Sequence, residues 1–149
     1  MSANRELRQI RVDVEVADWT RARALVLPVR TAVFVVEQGV PESIERDAMD
    51  AVSRHAIARD VSGSVVATGR LLPDGHIGRM AVLAALRGAG VGAAVLQALM
   101  AEAVRQGLTE VVLNAQVHAL DFYRRLGFVE RGEVFLEAGI EHRTMRRSL

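Results

Sequence analysis

The chain has 149 residues, half of them hydrophobic, which is enough for one domain spanning residues 1–149 to bury a core without disulfide or metal staples. Its 19 basic and 18 acidic side chains leave a net charge of +1, which argues against the basic surface of a nucleic-acid binder or an anionic-membrane binder. Without cysteine there is no thiolate nucleophile, and the 4 histidines show no metal-ligand spacing.

Residues 1–8, Met-Ser-Ala-Asn-Arg-Glu-Leu-Arg, lack the apolar centre of a signal peptide, and no segment is apolar for long enough to span a bilayer as a helix. A cytoplasmic protein is the expectation. Residues 10–16 alternate Ile, Val, Val, Val with Arg, Asp and Glu, the period of a half-buried strand. Asp18 then has the chemistry of an N-cap, and Ala22, Leu25, Val26, Val29, Val33 and Val36 recur at helical spacing, with Pro28 expected to kink the helix. Residues 38–53 read as a loop with at most a short helical turn, broken by Gly39 and Pro41 and carrying Glu42, Glu45, Asp47 and Asp50. That run is either a solvated acidic loop or an acidic rim that draws in a cationic substrate.

Residues 54–59 and 64–71 form a pair of strands around a Ser-Gly-Ser turn, and Pro-Asp-Gly at 73–75 leads into a third strand from His76. That strand runs into a glycine turn at Gly88, Gly90 and Gly92, after which Val95, Leu96, Leu99, Met100 and Ala103 mark a helix that stops near Gly107. Residues 110–116 are a buried strand expected beside the strand from His76 through a right-handed crossover. A short helix over 118–126 and a hairpin of 128–136 with 141–146 close the chain, its basic run at 143–147 reading as a solvated strand end. The sum is an α+β (mixed α/β) fold, a largely antiparallel central sheet with one βαβ unit and helices on both faces.

The glycine turn is a phosphate cradle by construction. Glycines let an anion approach the backbone, a helix N-terminus supplies unpaired N–H groups and a positive dipole end, and Arg87 can pair with a phosphate. A nucleotide-hydrolysing P-loop would need Lys-Ser or Lys-Thr after the glycines, and neither is present. The string from Gly88 to Ala93 fits the dinucleotide pattern G-x-G-x-x-G/A, but Ala84 to Arg87 separate it from the strand, and the next strand ends in Asn114, Ala115 and Gln116 rather than an acidic residue.

Arg87-x-x-Gly90-x-Gly92 resembles the pyrophosphate signature of the GNAT acetyltransferase superfamily, and Ala119-x-x-x-Tyr123-Arg-Arg-Leu-Gly127-Phe128 resembles its second landmark. A further stretch, Val-Phe-Val-Val-Glu37-Gln38 followed by Asp47, Asp50 and His55, looks like a small bacterial branch of that superfamily, so the resemblance covers essentially the whole chain. It implies the acyl-CoA N-acyltransferase fold and transfer of an acetyl group from acetyl-CoA to a primary amine of a small molecule or peptide, by direct attack and without a metal. It implies that the backbone of Met80, Ala81 and Val82 binds the pantetheine arm as an added strand. The turn of Arg87, Gly88, Ala89, Gly90, Val91 and Gly92 would then hold the pyrophosphate.

Tyr123 would protonate the departing thiolate; a thiol near ~8.5 and a phenol near ~10 suit that exchange. A packing role beside Phe122 is the other reading of that tyrosine. Where the family usually has asparagine this chain has Gln116, an amide that can still reach the arm. Glu37 is a candidate base, with Asp47, Asp50 and His55 as further ones, and solvent can also take the proton. An acyl-homoserine-lactone-synthase-like acyltransferase and a non-catalytic acetyl-CoA sensor stand as alternatives, and a homodimer through the C-terminal strands is compatible with the pattern.

Overall fold

The computed structural model of the chain describes residues 9–149. Residues 1–8, read above for a signal peptide, lie outside that range. In chain order the elements are β1 (Asp13–Ala17), α1 (Trp19–Arg30), a π-helix (Thr31–Glu37), α2 (Glu42–Glu45), β2 (Arg54–Arg59), β3 (Val65–Leu71), β4 (His76–Val82), α3 (Val91–Arg105), β5 (Glu110–Gln116), α4 (Leu120–Arg125), β6 (Val129–Glu137) and β7 (Ile140–Ser148). The strands form a 7-stranded sheet in the order β1-β2-β3-β4-β5-β7-β6. β4 and β5 pair in parallel and every other neighbouring pair is antiparallel. This is the mixed α+β sheet that the patterning predicts, with the β4-α3-β5 unit at its centre.

Central strands alternate their apolar side chains between two helical layers. On β2, Ala56 and Ala58 pack with Val95, Leu96, Leu99 and Ala103 of α3, while Ile57 turns to Ala22 and Val26 of α1. Each fully buried Leu of α3 contributes about 2 kcal/mol by this burial. The N-cap reading of Asp18 holds, its carboxylate accepting from the Arg21 backbone N–H at 3.1 Å. The turn joining β6 to β7 is Ala138–Gly139, both at positive φ (51° and 77°), as a tight hairpin with right-handed strand twist requires.

The structure departs from the pattern in three places that bear on the site. First, β1 begins at Asp13 rather than at residue 10, because the Ile10 backbone N–H donates to Ala89 O (3.1 Å) and so lies against the glycine turn. Second, the helix expected over 19–36 changes type after Arg30. Pro28 does not break it, but from Thr31 the chain widens into π geometry, with Gln38 N–H reaching back to Val33 O at 3.1 Å. Third, the acidic stretch is ordered as α2 and a 3-10 turn, Ala48–Val52, rather than a loop.

Candidate active site

The parallel pairing of β4 with β5 is short: His76 opposes Val112, Ile77 opposes Leu113, and the register ends there. Beyond that point the strands splay, leaving the edge of β4 from Gly78 to Val82 without a strand partner on the β5 side. A bulge at Arg79, whose φ is 49°, inserts an extra β4 residue between the pairs Arg70–Gly78 and Thr68–Ala81 and bends the strand away. The splay opens a groove of about 1020 Å³ reaching from the glycine turn to the β6–β7 hairpin. The π-helix presents Val33, Phe34, Glu37 and Gln38 to it from one side, and α4 presents Phe122 and Tyr123.

At one end the backbone is shaped for an anion. Gly88 and Gly90 have φ of 77° and 85°, and Gly90 is the N-cap of α3. Its cap residue, a glycine, has no side chain to bond the first N–H groups, and among the described residues no side-chain cap is made there, so these groups and the helix dipole face the groove. A Cβ on Gly92 would touch the Phe122 ring at 3.4 Å, so the glycine also lets α4 close against the turn. Arg87 stands beside this cradle, but its guanidinium is turned inward. It donates to both Glu37 carboxylate oxygens (2.6 and 2.8 Å) and to Val82 O (3.0 Å), one of the carbonyls expected to hold a pantetheine arm. The Arg87 hydrogen bonds hold the Glu37 carboxyl below its usual range, which makes Glu37 in this pairing a weaker base than a free carboxylate.

Tyr123 is packed edge-on against Phe122 (5.0 Å) and Phe128 (5.9 Å), and burial pushes its phenol up to about 12. Gln116, at the end of β5, donates to Gln38 Oε1 (3.2 Å) and accepts from His118 Nε2 (2.6 Å), so its amide is engaged at both ends. Asn114 accepts from Thr144 Oγ1 at 2.9 Å.

The acidic rim is not formed. Glu45 and Asp50, each 3% exposed, close around Arg30, itself 1% exposed. Arg30 donates to Asp50 Oδ1 at 2.8 Å and binds Glu45 through both Nε and Nη2, and its guanidinium lies over the Trp19 ring at 5.6 Å. Arg70 joins Asp47 (2.7 Å) to Asp50 (3.0 Å), and Arg79 donates to Asp47 and to Glu45 O. Glu42 is paired with Arg46. Burial raises the Asp47 and Asp50 carboxyls, but the facing arginines outweigh it and both end below their ordinary range. These carboxylates are therefore spent on structure rather than on drawing in a cation. His55 belongs to the same knot: its Nε2–H donates to Asp50 O at 2.8 Å, and burial lowers its pKa. Asp47, Asp50 and His55 do not line the groove, which removes them as bases.

Sequence reasoning passed over Arg79 and His142. The bulge at Arg79 sits in a strand-like string and leaves no periodic trace. His142 directly precedes the basic C-terminal run, yet it is only 7% exposed and lines the groove. That run is also less solvated than expected, since Arg147 Nε donates to Leu126 O at 2.9 Å.

Residues 15–149 match the family model of the acetyltransferase (GNAT) domain. The chain is 38% identical over 122 residues to the uncharacterized N-acetyltransferase YjcF of Bacillus subtilis, covering 80% of this chain and 87% of that protein. An acyl-CoA N-acyltransferase from Pseudomonas aeruginosa superposes with a TM-score of 0.81 at 36% identity, over 92% of this chain and 99% of that one. Escherichia coli ElaA superposes with a TM-score of 0.80 at 30% identity, over 92% and 99%. Fold, groove and family agree, and the chain belongs to the GNAT acetyltransferase family.

Proposed function

We propose that this chain is an acetyl-CoA-dependent N-acetyltransferase acting on a primary amine of a small molecule or peptide by direct attack. The observation that carries the reading is the splay of β4 from β5, with an uncapped, glycine-lined helix N-terminus at one end and Tyr123 beside it. Met80, Ala81 and Val82 offer a free strand edge to the pantetheine arm, as a peptide would be received by strand addition. Gly88, Ala89, Gly90, Val91 and Gly92 offer N–H groups to the pyrophosphate. Arg87 would leave Glu37 and Val82 O for the phosphates, freeing the Val82 carbonyl for the arm. The released Glu37 carboxylate then stands in the groove as the counter-charge for the acceptor's ammonium. Gln116, anchored by Gln38 and His118, would steady the arm's amide end.

The amine must lose a proton, bond to the thioester carbon and expel the thiolate. A phenol at about 12 stays protonated at neutral pH and is available to the thiolate. Against a thiol near ~8.5, that transfer alone runs uphill by about 5 kcal/mol, so the proton must be replaced in the same event by the one leaving the newly acylated nitrogen. Tyr123 thereby works as a relay between nitrogen and sulfur. We further propose that the molecule pairs with a second copy through edge strand β6, whose Val129, Val134 and Leu136 are exposed.

The reaction is tested by thiol release from acetyl-CoA with a panel of primary alkylamines, amino acids, polyamines and peptides. Turnover is expected with at least one amine, and Tyr123→Phe should lower kcat about 10²-fold while leaving acetyl-CoA binding unchanged, because the ring keeps its aromatic packing. Equal turnover by Tyr123→Phe would remove the acid role. No turnover with any amine would favour a sensor that only binds.

A further inference from the structure

We propose that His142 is the general base that takes the acceptor's ammonium proton; the assignment rests on the acetyltransferase reading above. In the β5–β7–β6 part of the sheet, Gln116 lies opposite His142 and His142 opposite Phe135. Residues directly opposite in antiparallel strands share a face, so Gln116, His142 and Phe135 stand on one side. Gln116 is bonded there to Gln38 at the end of the π-helix, so this is the α1 side of the sheet. Tyr123 packs with the α3-side core. The groove passes between the faces, so a thioester threaded through the splay meets the phenol from one side and the imidazole from the other.

The imidazole is set for proton abstraction. Its Nδ1 lies 2.7 Å from Ile140 O, and a carbonyl only accepts, so Nδ1 carries the hydrogen and the lone pair of the neutral ring is at Nε2. Phe135 stacks on the ring at 6.0 Å and 26°. Glu137 Oε2, 3.5 Å from Nε2, stabilises the imidazolium formed on abstraction. The groove's other ionisable groups include His118, beyond the Gln116 amide, and Glu37, paired with Arg87 until coenzyme A is bound.

Elsewhere along the groove His76 is held by Asp74 in its turn, His118 is exposed and donates from Nε2 to Gln116, and Glu37, released by Arg87 only once coenzyme A is bound, is a carboxylate and so ordinarily a weaker base than an imidazole. His142 Nε2 takes a proton from R–NH₃⁺ to give R–NH₂, which bonds to the thioester carbon. The C–S bond breaks, the thiolate takes the Tyr123 proton, and Tyr123 regains one from the acylated nitrogen. The imidazolium returns its proton to solvent, and the balance is one amide, one thiol and one released proton.

The test uses acetyl-CoA with the amine of the panel turned over fastest by the wild-type chain. His142→Asn retains an N–H donor for Ile140 O and lacks the lone pair. It should lower kcat about 10²-fold, abolish the acid-side fall of kcat/KM that belongs to the enzyme, and recover partly in added imidazole. Glu137→Gln, at an exposed hairpin site, should lower kcat about threefold, because it removes the carboxylate that faces the imidazolium. The proposal is overturned if His142→Asn keeps the wild-type rate, or if it loses rate while keeping the wild-type pH profile and ignoring imidazole. Should His142→Asn not fold, as judged by its thermal response to acetyl-CoA, a Glu137→Gln chain that keeps the wild-type kcat overturns it. A wild-type chain that turns over no amine refutes the acetyltransferase reading itself, a distinct result.

Discussion

Replacing Arg30 with Met tests the buried ion cluster that holds α1 to the 42–52 segment. Arg30 is 1% exposed and makes the cation contacts of the Glu45 carboxylate, which is itself 3% exposed. Methionine fills much of the space but leaves the Glu45 carboxylate with no cation at hydrogen-bond distance among the described residues, while Asp50 keeps Arg70 at 3.0 Å. Removing one partner of a buried ion pair costs about 3–5 kcal/mol. At roughly 2–4 °C per kcal/mol for a chain of this length, Tm should fall by on the order of 10 °C.

The pH dependence has a definite sign. Asp47 and Asp50 titrate lower in the folded chain than unfolded, so their stabilisation is complete above the unfolded value and fades as pH falls through the folded one. The Asp50 part of the Arg30→Met deficit should therefore hold from pH 7 down to about pH 4 and shrink only below it. Arg30→Met/Glu45→Leu, which strands no carboxylate on Glu45, should recover a good part of the loss. Differential scanning calorimetry at pH 7 and at about pH 3 reads these changes. A single variant within about 1 kcal/mol of wild type at pH 7, or a double variant no better than the single, would refute the reasoning.

Tyr123 is the only tyrosine of the chain, so tyrosinate absorbance near 295 nm reports it alone. The midpoint in the folded protein should lie well above the ordinary ~10, toward about 12, and a midpoint at the ordinary value would place the phenol in water. Glu37→Gln removes the carboxylate that, on the proposed binding mode, Arg87 would leave for a phosphate. The pair is exposed, so CoA affinity should rise by no more than about fivefold in a calorimetric titration, and weaker binding would show that Arg87 does not change partners.

What the sequence revealed follows from how local each signal is. The strand alternation, the Asp18 cap, the glycine turn and the Tyr123 landmark are each encoded within a few neighbouring residues, and the family resemblance rests on the last two with the stretch from Val33 to Gln38. The ion cluster is not local. Glu45 and Asp50 meet Arg30 across 15 and 20 residues, and Arg79 meets Asp47 across 32, so the acidic run gives no sign that it is neutralised from other elements. The widening after Arg30 was invisible because Val33 and Val36 suit α and π spacing alike. His142 was hidden for a third reason: its importance comes from the β5–β7 register, which joins it to Gln116, and registers between distant strands are set by the packed sheet.

The claim that organises all of this is that the splayed groove receives a coenzyme A thioester. Isothermal titration of the full chain with acetyl-CoA and, separately, with NAD measures it directly. Saturable one-to-one binding of acetyl-CoA with no heat from NAD is the predicted result. Binding of NAD with none of acetyl-CoA would contradict the account.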